Sequence, residues 1–327
     1  MARLVRRLEE ATLGAFRLLT APPVPRHLAR VPPRRGLGLP PRVVIEKAER
    51  DMSVEEAAAL LDALLGTVLG SAYRSTFKDA EVLVKPNFNS AHPYPASTEL
   101  RLLAGTLVLL KDLGARLTVG ESSGAPWWPT RRVLTDAGLL DVAGQLEVPV
   151  VIFEEQEEWV WVETRGDVLP GVAVARAAYE AEVLLFLSLL KTHRYAGFSL
   201  SLKSAFGLVH PGQRRLIHAS RLQEKIGQLA AACRADLVIA DGREAFVTEG
   251  PTMGDVARPG LILASSDQVA CDMEGVAVLG QHGARALLAR RPGEHVQIRC
   301  ASRLLHRSGD EYEVLGPAGA RKMVRFP

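Results

Sequence analysis

From Arg42 onward, apolar segments of strand length alternate with longer segments patterned for helices, and this alternation narrows the folds open to the chain. RVVIEKA reads as a strand, followed by the helix SVEEAAALLDALLGTVLG, with Ser53 as N-cap and Glu55 and Glu56 close to a capping box. EVLVKP is a short buried strand. STELRLLAGTLVLLKDLG is a helix that Ser97 or Thr98 caps and Gly114 ends. ARLTVGES, PVVIFEE, EVLLFLSLL, DLVIADG and GLILASS continue the strand series, and DQVACDMEGVAVLG is a further helix. Strands alternating with helices predict an α/β fold with a mostly parallel sheet flanked by helices on both faces. WVWVET alternates with period two, so residues 155–180 are expected to form a small, partly antiparallel insert.

Ahead of this body lie two segments of other character. Residues 1–20 repeat apolar positions at Leu4, Leu8, Ala11 and Ala15 with Arg3, Arg6 and Arg7 between them, the pattern of a basic amphipathic helix. Such a helix packs on protein or makes weak contact with a membrane surface. Residues 21–41 are rich in Pro, Arg and Gly and read as an extended linker, so residues 1–41 are expected to be separable from a body at 42–327 of one or two lobes.

Composition removes several function classes. A formal charge of +3 with dispersed basic residues gives no footprint for nucleic acid. No apolar run reaches the roughly 18 residues of a membrane span. Cys233, Cys271 and Cys300 stand far apart, so no iron–sulfur cluster of the chain's own is expected, and a sparse, odd count fits the cytoplasm. The oligomeric state is not readable from the sequence.

The basic residues carry a sharper signal. Of 40 Lys+Arg only 8 are lysine, yet Lys85, Lys191 and Lys203 all sit in or beside apolar runs. Arginine keeps its proton in proteins, whereas lysine can release one and acts as a compact charge for an anion or a carbonyl carbon. The plainer alternative is that these are strand-end lysines with solvated tips.

Polar residues recur at the carboxyl ends of the expected strands, where open α/β sheets bind ligands. These are Lys85 and Asn87, then Glu121, Ser122 and Ser123, then Lys191 and His193, then Asp241 with Glu249, and finally Ser265, Ser266 and Asp267. Asn87 also suits a plain turn, and Asp267 a helix N-cap. Lys191 and His193 are two apart on an extended segment and so share a side. Neighbouring positive charge favours neutral imidazole there, as base or metal ligand. Residues 198–204 read equally as strand, which would align Ser199, Ser201 and Lys203, or as helix. His210 and His218 follow in an expected surface loop, and a two-histidine metal site from His193 and His218 remains open.

LVKPNF, LGARLTVGESSG, LSLLKTH, SLSLKSAFG, DLVIADG, EGPTMG and ASSDQVACD occur in an order that resembles the domain-of-unknown-function family 362. The resemblance runs from about Arg42 to Gly280. It implies an α/β protein, and many such proteins carry a ferredoxin-like iron–sulfur segment that this chain's isolated cysteines do not reproduce. Ser204 stands where relatives usually place asparagine. The family is more distantly similar to the catalytic domain of nickel-pincer lactate racemase, which implies cofactor-holding roles for Lys191 and His193.

Two functions follow as expectations. One is an enzyme of unassigned reaction that binds a small anionic substrate, or a metal or organic cofactor. In it Lys191, His193 and Lys203 are catalytic, and Lys85, Asn87, Glu121, Ser122, Ser123 and His218 bind the ligand. Asp241, Glu249 and Asp272 would complete a divalent-metal site. The other is a non-catalytic metal- or cofactor-binding module that acts with a protein partner.

Overall fold

The computed structural model describes residues 23–124 and 129–327. The helix expected over residues 1–20 lies outside them. Strand β1 (Arg30–Val31) precedes β2 (Arg42–Lys47), β3 (Glu81–Lys85), β4 (Arg116–Glu121), β5 (Val150–Ile152), β6 (Trp159–Glu163) and β7 (Gly171–Ala175). The chain continues with β8 (Val183–His193), β9 (Gly197–Ser199), β10 (Leu237–Phe246), β11 (Val256–Ala257), β12 (Leu261–Ser265), β13 (Glu311–Leu315) and β14 (Arg321–Arg325).

The large sheet runs β14-β13-β2-β12-β10-β8-β3-β4-β5. The stretch from β10 through β8, β3 and β4 to β5 is parallel, whereas β12 is antiparallel to both of its neighbours. The expected α/β class with a mostly parallel sheet is therefore correct. β6 and β7 form the antiparallel pair anticipated within 155–180, and they build a separate small sheet with β1.

Side-chain alternation explains why the sheet holds two cores. In β8, Leu184, Phe186 and Leu190 enter one apolar cluster, while Val183, Leu185 and Leu187 enter another. β10 divides in the same way, with Val238 and Ala240 on one side and Leu237 and Ile239 on the other. A strand apolar on both faces must be covered twice. Helices α1 (Val54–Leu69) and α2 (Leu100–Asp112) supply one layer. The other layer includes α3 (Ser201–Ser204), α4 (Pro211–Ala219), α5 (Leu222–Ala232) and α6 (Gln268–Gln281). Each fully buried aliphatic side chain in these layers contributes about 1.5–3 kcal/mol, so the packing of β8 sets the frame on which its polar end is held.

The caps refine the sequence reading. Ser53 and Glu56 form a complete capping box at α1. At α2 the N-cap is Glu99, which accepts from Leu102 N–H. Ser97 and Thr98 are drawn away from that role: Ser97 donates to Ser90 O, and Thr98 Oγ1 accepts from Asn87 N–H.

The described part of the proline-rich segment is extended, but it is strapped to the body. Val24, Leu28 and Val31 pack on the core, and β1 pairs with β6. Arg34 is buried and bridges Asp236 at 2.7 Å while donating to Ala181 O and Arg234 O. The contacts are partly apolar, through Val24, Leu28 and Val31, and partly polar, through Arg34. The guanidinium is held by one carboxylate and two carbonyls that lie far away in sequence, so no local pattern marks it.

Candidate functional site

β8 outruns β3 at its carboxyl end, so Lys191 and His193 extend past the pairing with β3, while Lys191 still lies beside Phe246 of β10, and they continue the row of Val183, Leu185 and Leu187. Lys191 is 1% exposed. Its ammonium donates to Ala96 O at 2.6 Å and to Asn87 Oδ1 at 3.3 Å, in the loop after β3. Burial, and then the charge of Lys203, pushes its pKa down to about 7.

Lys203 arrives from the opposite layer. The segment 198–204 is strand only through Ser199 and then turns into α3, so the helical alternative is the correct one for Lys203. Its ammonium lies 5.3 Å above the Phe206 ring, and burial followed by Arg214 lowers its pKa to about 8. Ser204 hydrogen-bonds Ser188 at 2.9 Å and back-bonds to Leu200 O, which gives the serine at this position a structural task.

His193 is buried, and its Nδ1 accepts from the backbone N–H groups of Tyr195 and Ala196, both at 3.2 Å. The proton therefore sits on Nε2. Burial, then Lys203, Lys191 and His218, depresses its pKa to about 2, so the ring stays neutral. His218 is exposed on α4 rather than in a loop, and its ring packs edge-on against Phe206. His210, also expected on the surface, is instead buried, with Nδ1 capping α4 at Gly212 N–H. Besides burial, the charge of Lys203 contributes to lowering the pKa of Lys191, His193 and His218, so these side chains lie within reach of one another's charge.

The other expected ligand-binding residues are engaged among themselves. Lys85 follows Leu83 in the opposite row and makes a buried 2.6 Å ion pair with Glu121. Glu121 also accepts from Phe88 N–H and Ser122 N–H. A Cβ at Gly207 would lie 2.3 Å from Lys85 Cε, so the turn that follows α3 packs a glycine directly against this pair. Ser122 Oγ accepts from Arg214, and Ser123 donates to Phe88 O. Arg214, which the sequence reading passed over, also donates to the carbonyls of Val209, Ser122 and Ser123 and ties α4 to the end of β4. Lys85 therefore braces the floor of the site and does not present a free charge.

The three carboxylates expected to hold a metal are not gathered. Asp241 chelates Arg243 in a buried pair and accepts from Tyr94 O–H at 2.9 Å. Asp272 is fully buried and satisfied by Ser201 N–H, Ser201 O–H and Leu202 N–H, so it fastens the first turn of α3. Burial raises its pKa to about 7. Glu249 is exposed in the loop that follows β10. Among the described residues no three His, Cys, Asp or Glu side chains are grouped as a metal would require. Asp267 is the N-cap of α6, accepting from Ala270 N–H.

The loop carrying Glu249 still shapes the site. Gly250 has φ +70°, and a Cβ there would stand 1.9 Å from Thr192 O. The loop lies directly against the backbone between Lys191 and His193.

These features define an α/β protein with two buried or half-buried lysines and a buried histidine gathered at the carboxyl end of its central parallel strands. The chain matches the model of the family described as domain of unknown function DUF362 over residues 82–277, and it belongs to that family. It is 28% identical over 227 residues to a thylakoid-associated protein of Synechocystis sp., covering 66% of this chain and 69% of that protein. The lactate racemase apoprotein from Thermoanaerobacterium thermosaccharolyticum gives a TM-score of 0.38 at 11% identity, over 86% of this chain and 83% of that one. Among the described residues no helix is long and apolar enough to cross a membrane.

Proposed function

We propose that this chain is an enzyme acting on a small anion that binds where the end of β8, the loop after β3 and α3 converge. One observation carries the reading. Lys191 and Lys203 bring two ammonium groups beside neutral imidazoles, and among the described residues neither has a carboxylate partner. Lys85 and Lys322, by contrast, each have one. Partly desolvated cations without a counter-ion are costly, and a bound anion would relieve that cost.

In this reading Lys203 holds the negative charge. Lys191 exchanges a proton near neutral pH and serves as general acid or base. His193 donates from Nε2. A second reading, a binding module that docks a partner, draws on the exposure of Tyr195 and Leu216, at 71% and 68%, which flank His193 and His218 in sequence.

Titration calorimetry with inorganic phosphate at constant ionic strength tests the enzyme's binding step. An anion stabilises the charged lysines, so binding takes up protons and must weaken as pH rises past their pKa values. Affinity is expected to fall roughly tenfold or more between about pH 7.5 and about 9.5, a range in which phosphate is mostly the dianion and increasingly so as pH rises. Lys203→Met should weaken it by a similar factor at the lower pH. Absence of binding, or binding indifferent to both changes, would contradict the proposal.

A further inference from the structure

The two imidazoles that border this site are locked in opposite polarity. His193 Nδ1 accepts two backbone N–H bonds, so its Nε2 carries the proton and can only donate. His218 Nδ1 lies 2.7 Å from Arg214 O, and a carbonyl oxygen cannot donate, so here Nδ1 carries the proton and Nε2 is a bare acceptor. The pKa of the buried His193 is depressed to about 2 and that of His218 is lowered as well, so both rings favour the neutral form, with the tautomer set by these hydrogen bonds. Phe206 links His218 to the site, since its ring meets that of His218 edge-on at 4.6 Å and carries the Lys203 ammonium above it.

We infer that the ligand of this site is an oxyanion bearing an O–H of its own, with its charged oxygens held by Lys203 and His193 Nε2–H and its hydroxyl donated to His218 Nε2. This rests on the anion-site reading and goes further by giving the ligand's hydrogen-bonding pattern. An anion made only of acceptors would set an oxygen lone pair against the His218 lone pair, losing one hydrogen bond and adding a repulsion. Discrimination by a site's own donors and acceptors is strongest where the mismatched group is left unpaired.

Hydrogen phosphate and sulfate make the test clean, because they are tetrahedral dianions of similar size that differ by one proton. Calorimetric titrations of the full chain with each, at about pH 8 where phosphate is the dianion, are expected to show phosphate binding roughly tenfold or more tighter, the scale of one hydrogen bond. His218→Phe keeps an aromatic ring and removes both nitrogens, and it should bring the two affinities to within about twofold of each other by weakening phosphate and relieving the repulsion on sulfate. The residue is exposed, so the fold should tolerate the change. Equal affinities in the unaltered protein, or a preference that His218→Phe leaves intact, would overturn this inference while the anion site stands. If neither ion binds, the anion-site reading falls and takes the inference with it.

Discussion

Replacing Arg243 with methionine is expected to lower the unfolding free energy by about 3–5 kcal/mol, the cost of removing one partner from a buried ion pair. Arg243 and Asp241 are both 1% exposed, and the guanidinium meets both carboxylate oxygens, at 3.0 and 2.7 Å. It also reaches Glu99 at 3.4 Å and Arg50 O at 3.2 Å, which joins β10 to α2 and to the end of β2. The variant leaves the Asp241 carboxylate with only Tyr94 O–H and the Arg243 backbone N–H. Removing both charges together, in Asp241→Asn with Arg243→Met, should cost clearly less than the sum of the single changes, because neither charge is stranded. Denaturant melts of the three variants measure this. A single-variant loss under about 1 kcal/mol would show that the pair is solvated and open to another role, such as metal binding.

Gly250→Ala is expected to cost about 2–5 kcal/mol and to weaken phosphate binding as well, from left-handed strain and overpacking together. The new methyl would lie 1.9 Å from Thr192 O, a backbone atom in the middle of Lys191-Thr192-His193. Backbone cannot swing away as a side-chain tip can. Either the 249–254 loop lifts off or the end of β8 moves, and both outcomes shift the Lys191 and His193 side chains. Thermal melting combined with phosphate titration separates the two effects. An alanine variant as stable and as tightly binding as the parent would mean that the loop is loosely seated on β8.

Much of this was readable in the residues, for identifiable reasons. The two-sided core follows from apolar alternation in segments such as EVLLFLSLL, where both faces of the strand need cover. Lys191 and His193 share a row because a strand has period two, and a scarcity of lysine made the pair conspicuous. What escaped depended on contacts between residues distant in sequence. Glu121 neutralises Lys85 across 36 positions, and Arg34 meets Asp236 across about two hundred. No local pattern announces either pair. Asp272 looked available because one turn into a helix it had no capping duty, but its partners belong to α3, 70 and 71 residues earlier. Arg243, only two residues after Asp241, was the one signal close at hand. It lies where the pairing of β10 with β8 breaks register between Asp241 and Phe246, and that irregularity lets neighbours at i and i+2 chelate each other.

The central claim is that Lys191 and Lys203 form a desolvated, carboxylate-free pair awaiting an anion. Its most direct test is an NMR pH titration of the protein carrying 13C at the lysine ε-carbons, with Lys191→Arg and Lys203→Arg used to assign the two signals. The account predicts midpoints near 7 for Lys191 and near 8 for Lys203, with both moving upward when inorganic phosphate is added. In the absence of anion both lysines lose protons in the folded state that the unfolded chain retains, so stability should also rise with pH from those midpoints toward about 10.4. Midpoints near 10.4 for both lysines, unmoved by phosphate, would contradict the account.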